Sequence, residues 1–274
     1  MKKDITLVYL LGGISKRFGG GIKSLASVGI NKEPLLEISL RQATSSSFTK
    51  IIFIVGPTTI EAYQKQFGFN YKGIPITYAL QTHDSTKRDK PWGTADALNV
   101  AIPFLSTPFV ICNGDDLYGQ LSFEQSTNFL RQTEENIMIG YELKEVLPNE
   151  GKVNRAIIHA DSKGIISQVK EVFDITLEKI ENSEFQGNSL CSMNIFGLQP
   201  RLLSEIQKKV EQFKKENENN RNVECLLPEI MNELIVEKKA KFRVLPAQER
   251  WIGITYSSDV EIAKSKLMMS RNLT

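Results

Sequence analysis

Apolar, β-branched runs at Ile5–Leu11, Ile51–Val55, Ile74–Leu80 and Pro108–Cys112 are short, and helical spacing fills the segments between them. The runs predict strands, and the intervening segments predict helices. Leu35, Leu36, Ile38, Ser39 and Ala43 predict a helix begun by Pro34, Ile60–Phe67 a second, and Ala95–Ile102 a third, capped by Thr94. Ser122 and Gln125 have the spacing of a capping box for a fourth helix over Phe123–Gln132. Strand and helix in alternation is the rhythm of a parallel sheet.

After about residue 136 the rhythm changes. Ile137–Leu143, Ala156–His159, Ile165–Val169 and Cys191–Leu198 predict strands with few helices between them, followed by helices near Leu202–Lys215 and Val223–Val236. The second half therefore reads as a mixed-sheet extension. The polar run Lys208–Asn222 predicts a solvated helix end and loop. No stretch is rich enough in Pro, Gly or Ser to divide the chain, so residues 1–274 are expected to form a single α/β domain with a mostly parallel central sheet flanked by helices.

Composition narrows the chemistry more than the fold. At 274 residues, such a chain buries about three quarters of its unfolded surface and needs no metal or disulfide staple. Thirty-four Lys and Arg against 32 Asp and Glu give a net charge of +2, which makes no electrostatic case for a nucleic-acid partner. Cys112, Cys191 and Cys225 lie far apart among apolar neighbours, which predicts buried free thiols in a reducing compartment. With His83 and His159 the only imidazoles, zinc sites and Cys/His nucleophiles are disfavoured. No run approaches the ~18 apolar residues of a membrane span or ends in a cleavable leader, so a cytoplasmic protein without a membrane partner is expected.

Two segments carry the chemistry. Directly after the first strand, residues 12–23 hold Gly12, Gly13, Gly19, Gly20 and Gly21 with Lys16, Arg17 and Lys23 and no acid. Glycines there free backbone N–H groups to meet an anion, and the cations neutralise it, as at the carboxyl edge of a parallel sheet. The loop departs from a dinucleotide fingerprint at Gly12-Gly13-Ile14, and from a P-loop because Ile22 separates Gly21 from Lys23-Ser24. The fourth strand runs into Asn113-Gly114-Asp115-Asp116. Adjacent carboxylates at that edge are costly unless they hold a cation, and Mg²⁺ suits them because it takes one or two carboxylates and completes its shell with phosphate oxygens. Together the two segments imply a nucleoside triphosphate with Mg²⁺.

Here the chain resembles the sugar-phosphate nucleotidyltransferases, the nucleotidyl transferase or NDP-sugar pyrophosphorylase family. Leu10-Leu11-Gly12-Gly13-Ile14-Ser15-Lys16-Arg17 with Lys23 downstream is similar to the family's opening signature, Lys90-Pro91-Trp92-Gly93-Thr94-Ala95 to its Gly-Thr-Ala segment, and Asn113-Gly114-Asp115-Asp116 to its metal-binding strand end. Ser192-Met193-Asn194, Glu224 with Pro228, and Trp251-Ile252-Gly253 extend the match more weakly. There are departures: Ser15 replaces a glycine, Asp96 follows Gly-Thr-Ala, and Gly253, Ile254 and Thr255 stand where relatives carry a second metal ligand. Asp259, the nearest carboxylate, reads as a helix N-cap.

The resemblance implies a Rossmann-like, GT-A-type nucleotidyltransferase fold, with residues 1–135 binding nucleotide and 136–274 the acceptor. It implies transfer of a nucleotidyl group from an NTP, a pyrimidine being favoured, to a sugar 1-phosphate or related phosphomonoester. Arg17 would meet the triphosphate and departing pyrophosphate, Lys23 the α-phosphate, and Asp115 the Mg²⁺, with Asp116 a second candidate ligand. Leu11, Gly12 and Gly13 would approach the nucleotide by backbone. Gln81 would read the base through an amide that offers donor and acceptor, beside Gly93, which lets the base lie close, and Thr94. Lys170 and Glu171 would face the acceptor phosphate, and Asn194 the sugar hydroxyls. Three rivals are a cytidylyltransferase acting on a non-sugar phosphomonoester such as phosphocholine, a GT-A glycosyltransferase, and a catalytically silent nucleotide-binding domain. A homo-oligomer is left open.

Overall fold

The computed structural model describes residues 3–12, 21–29, 31–148, 151–181, 187–254 and 264–265. In chain order the elements are β1 (Thr6–Leu11), α1 (Leu35–Thr44), β2 (Lys50–Val55), α2 (Ile60–Phe67), β3 (Asn70–Tyr71), β4 (Ile74–Leu80), α3 (Thr94–Ala101), β5 (Phe109–Asn113), β6 (Asp116–Leu117) and α4 (Gln120–Gln132). Then follow β7 (Asn136–Glu142), β8 (Val153–Ala160), β9 (Ile166–Ile175), α5 (Leu177–Glu181), β10 (Leu190–Leu198), α6 (Leu203–Glu216), α7 (Leu227–Val236), β11 (Phe242–Pro246) and β12 (Ile252–Gly253).

The main sheet runs β11-β7-β10-β5-β1-β2-β4-β3, with the β8–β9 hairpin attached to β10. β5, β1, β2 and β4 are mutually parallel, with Leu7 level with Ile51 and Val110. β10 enters antiparallel between β5 and β7, and β11 closes the far side parallel to β7. The mostly parallel sheet flanked by helices that the pattern predicts is present, and so is the mixed extension.

The near-continuous apolar runs follow from burial on both faces. Leu7, Tyr9, Ile51, Phe53, Val110 and Cys112 point to one side and pack with Leu36 and Leu40 of α1, Tyr63 and Phe67 of α2 and Phe123 of α4. Their alternating neighbours Val8, Ile52, Ile54 and Ile111 point to the other and pack with Leu98 of α3, Ile206 and Val210 of α6, and Ile230 and Leu234 of α7. All three cysteines are buried free thiols.

Four local expectations are corrected. Pro34 occupies the cap position of α1, not its first turn. α3 begins at Thr94 with Gly93 as its cap; the Thr94 hydroxyl instead accepts from the Leu227 N–H at 2.9 Å and so ties down the start of α7. α4 begins three residues early, behind Gly119, so Ser122 lies inside it. There the Ser122 hydroxyl donates to the Tyr118 carbonyl and meets the Tyr141 hydroxyl at 2.9 Å, and no capping box forms. α7 starts at Leu227 because Pro228 belongs in a first turn, and the preceding Val223–Leu226 stretch is not helical.

The polar run 208–222 forms the expected helix end and exposed loop, with contacts that the pattern did not predict. Its first part continues α6, and its remainder packs against the 84–93 loop: Arg221 pairs with Asp89, and the Asn220 carbonyl accepts from Arg88. No described helix is long and apolar enough to cross a membrane.

β10 tolerates little near its C-terminal end. A Cβ on Gly197 would stand 2.7 Å from Ile137 Cγ1 and 3.2 Å from Leu130 Cδ1. Gly197→Val is expected to lower unfolding free energy by about 1–3 kcal/mol through overpacking. Urea denaturation reads this directly, and a midpoint equal to that of the parent protein would contradict it.

Candidate active site

Strands laid parallel deliver their carboxyl ends to one edge, and the ends of β1, β4 and β5 there surround a cavity of about 440 Å³. Leu11, Gly12, Lys23, Gln81, Gly93, Thr94, Asp115 and Asn194 all line it. Gly13 and Arg17 lie outside the described residues.

At the β1–β5 end the chain turns tightly. The Gly114 N–H donates to the Leu10 carbonyl at 3.0 Å, and a Cβ on Gly114 would fall 2.0 Å from Leu11 Cδ2. This turn separates the two carboxylates. Asp115, 39% exposed, faces the cavity and accepts from Lys23 Nζ at 2.9 Å, whereas Lys23 itself is only 14% exposed. Asp116 does not line the cavity. It is buried on β6, opposite Gly253 of β12, and its Oδ2 accepts from Asn113 Nδ2 at 2.9 Å and the Tyr118 hydroxyl at 3.3 Å. Burial, and then the neighbouring Asp115, push its carboxyl up to about 7. The adjacent acids read as a pair in the sequence thus part, because Asp115 stays in the turn after β5 while Asp116 is drawn into the pairing of β6 with β12.

Lys23 opens a short 3₁₀ turn, Lys23–Leu25, that is held from behind. Ser24 Oγ and the Tyr63 hydroxyl lie 2.6 Å apart, and burial pushes the Tyr63 hydroxyl up to about 12. Ser24, Tyr63, Asn113 and Glu224 also line the cavity and went unassigned in the sequence reading. Asn113 and Glu224 stood within quoted motifs; Ser24 and Tyr63 gave no signal, since they meet through α2, whose Tyr63 and Phe67 pack on Phe53 of β2.

Asn194 reaches the cavity through an irregularity in β10, where register with β7 shifts between Ser192 and Phe196. Its φ of +62° is left-handed, a conformation asparagine tolerates better than most residues. The Tyr118 hydroxyl bonds the preceding Met193 carbonyl at 2.8 Å and pins the distortion.

The opposite wall is the 91–94 segment. Gly93 has φ +102°, and a Cβ there would stand 2.6 Å from the Cys225 carbonyl. The glycine is therefore needed for its backbone and for the approach of Cys225, rather than only for the approach of a base. Gln81, 5% exposed, donates from Nε2 to the Gly93 carbonyl at 3.0 Å and to Asp96 Oδ2 at 3.1 Å, and Asp96 is ion-paired with Lys214. The donor half of the amide, expected to be available, is occupied.

Lys170 and Glu171 are not brought to this cavity. They line a second groove of about 330 Å³ with Pro228, Glu229 and Asn232, where burial and then Glu229 raise the Glu171 carboxyl. The reason is topological: the β8–β9 hairpin hangs from the outer part of β10, and α7 packs on it through Asn232 Oδ1, which accepts from the Val169 N–H at 2.8 Å.

Among the described residues no group of three or more His, Cys, Asp or Glu could cage a metal. A hard divalent cation that keeps waters and takes phosphate oxygens needs less, and the exposed carboxylate of Asp115 fits it.

Arg88 locks the wall in place. It is 2% exposed, donates to the carbonyls of Lys90 (3.1 Å), Asn220 (2.6 Å) and Val223 (2.5 Å), and lays its guanidinium 3.4 Å from the Trp92 ring centroid. A lysine cannot serve three carbonyls in fork geometry or stack flat. Arg88→Lys is expected to cost about 2–4 kcal/mol, with buried carbonyls left unpaired, and to speed amide hydrogen exchange at Ala95 and Cys225. Unchanged exchange at those two amides would exclude this role.

The nucleotidyl transferase family model matches residues 22–223. Among solved structures, the chain is similar to a UDP-glucose pyrophosphorylase complexed with UDP-glucose (14% identity, TM-score 0.68, 97% of this chain and 99% of that one). It is similar also to the inositol-1-phosphate CTP transferase of T. maritima (12%, 0.67, 97% and 97%), and to the CTP:phosphocholine cytidylyltransferase of Streptococcus pneumoniae (12%, 0.63, 96% and 99%). At these identities the likeness shows a shared fold. No curated protein sequence matches.

Proposed function

The chain belongs to the nucleotidyl transferase family, and we propose that this enzyme performs Mg²⁺-dependent transfer of NMP from a pyrimidine NTP to a sugar 1-phosphate, releasing pyrophosphate. The observation that carries this reading is the cavity where Gly12, Lys23, Gln81 and Asp115 converge from β1, β4 and β5. Nucleotide held by the 1–135 part would meet an acceptor held by the 136–274 part, where Asn194 reaches the same cavity.

The chemistry matches what the chain supplies. The acceptor's phosphate oxygen is already anionic, so it attacks the α-phosphorus without a general base. The new P–O bond forms as the bond to the bridging oxygen of the β-phosphate breaks, and pyrophosphate leaves with that electron pair. The protein's work is alignment and neutralisation of two polyanions. Asp115 would hold Mg²⁺, which supplies positive charge to the phosphate oxygens when bound. Lys23, largely withdrawn from solvent, brings its ammonium to the α-phosphate on the same side. Arg17, on the sequence reading, meets the departing pyrophosphate. The Asp115–Lys23 pair keeps each charge matched until substrate arrives, so neither is stranded at the sheet edge.

A second reading, transfer to a non-sugar phosphomonoester such as phosphocholine, is favoured by one observation: Lys170 and Glu171 line the other groove, leaving the acceptor side without that pair.

Pyrophosphate release measured for five NTPs against sugar 1-phosphates and small phosphomonoesters tests both readings. One pyrimidine NTP with one acceptor class is expected to turn over, and activity should stop with chelator. Lys23→Ala and Asp115→Asn should each lower kcat by about 10²–10³ with the melting temperature held within a few degrees. Release that survives chelation, or near-parental rates in either variant, would overturn the assignment.

A further inference from the structure

An amide can read a base with its nitrogen or its oxygen, and in this chain the surroundings of Gln81 decide which. Nε2 donates one N–H to the Gly93 carbonyl at 3.0 Å and the other to Asp96 Oδ2 at 3.1 Å. Both partners are acceptors, so the flipped amide would press oxygen against two oxygens; the orientation follows from the neighbours' chemistry. Asp96 could not stay there as a lone charge, since its side chain is only 6% exposed. Lys214, in the last turn of α6, crosses to pair with it. What remains is Oε1, which lies 3.1 Å from where a Cβ of Gly12 would stand, at the cavity wall, and accepts no hydrogen bond among the described residues.

We propose that Asp96, anchored by Lys214, is a positioning residue that takes up the second N–H of the Gln81 amide and so offers the nucleotide base a carbonyl oxygen alone. The base must then present an N–H donor on its pairing edge. The N3–H of uracil or thymine and the exocyclic amino group of cytosine meet that demand. A base lacking the donor sets its own lone pairs or a C–H against Oε1 and leaves a buried acceptor unpaired. Lys214 acts at one remove, by pairing with Asp96 and holding it in place. This role presupposes the nucleotide site proposed above and adds to it the reason one face of Gln81 is selected.

Calorimetric titration of the full chain separates this from a merely structural part. The probes are UTP with 3-methyl-UTP, CTP with the triphosphate of the cytidine analogue lacking its 4-amino group, and pyrophosphate alone. For whichever parent nucleotide binds more tightly, the donor-less analogue should bind the parental protein at least about ten-fold more weakly. In Asp96→Asn that gap should shrink to about three-fold or less through loss of parent-nucleotide affinity, with pyrophosphate affinity unchanged within about two-fold. Lys214→Met should move the gap the same way, and Lys214→Arg should restore it. A gap that persists in Asp96→Asn, or an equal weakening of pyrophosphate, overturns the role while leaving the nucleotide site intact. Failure of the parental protein to bind either nucleotide overturns the site itself, and this role with it.

Discussion

Parallel pairing of β5, β1, β2 and β4 brings every carboxyl end to one edge of the sheet, and there the backbone must leave the ladder without a partner strand to receive it. Polar groups released at such an edge need other partners, and in this chain they find them around a cavity. Lys23 faces Asp115, Gln81 faces Gly93 and Asp96, and Asn113 faces Asp116. Polar groups at the edge are therefore satisfied by one another, and the charged pair Lys23–Asp115 borders the cavity. The two apolar faces beneath make the edge rigid, because alternate residues of each strand are locked into separate cores.

The second half of the chain is what closes the site. β10 enters antiparallel beside β5, and its irregularity at Asn194 is held by the Tyr118 hydroxyl, which also contacts Asp116. From the other side the 217–226 segment braces the 84–93 loop through Arg88, through Arg221 with Asp89, and through the Cys225 backbone, whose N–H donates to the Trp92 carbonyl at 2.6 Å and whose carbonyl accepts from the Ala95 N–H. The wall that carries Gly93 thus depends on residues more than a hundred positions away. A near-neutral chain can bind a polyanion in this way because its charge is organised locally rather than summed.

Much of this was legible beforehand. Leu11, Gly12, Lys23, Gln81, Gly93, Thr94, Asp115 and Asn194, singled out from motifs, border one cavity. Strand ends, glycine runs and acidic turns are readable because their chemistry is local. Lys170 and Glu171 lie away from that cavity because a strand's address depends on which partner it pairs with, and among the described residues β9 pairs with β8. Thr94 and Ser122 were misjudged as caps for a similar reason: both hydroxyls are spent on contacts outside their own helix starts, with Leu227 in one case and with Tyr118 and Tyr141 in the other.

The amino-acid sequence by itself determined an α/β chain with a parallel sheet, a phosphate-binding class of chemistry, and the loops that carry it, since hydrophobic period and residue type suffice for each. Tertiary structure alone decided that Asp115 faces the cavity while Asp116 is buried, that Gln81 presents its oxygen, and that Lys214 of a stretch read as solvated reaches Asp96. The physical reason is common to all three. A side chain's direction and its available hydrogen-bonding atoms are set by what packs against it, and those partners are contributed by segments that no local pattern in the sequence connects.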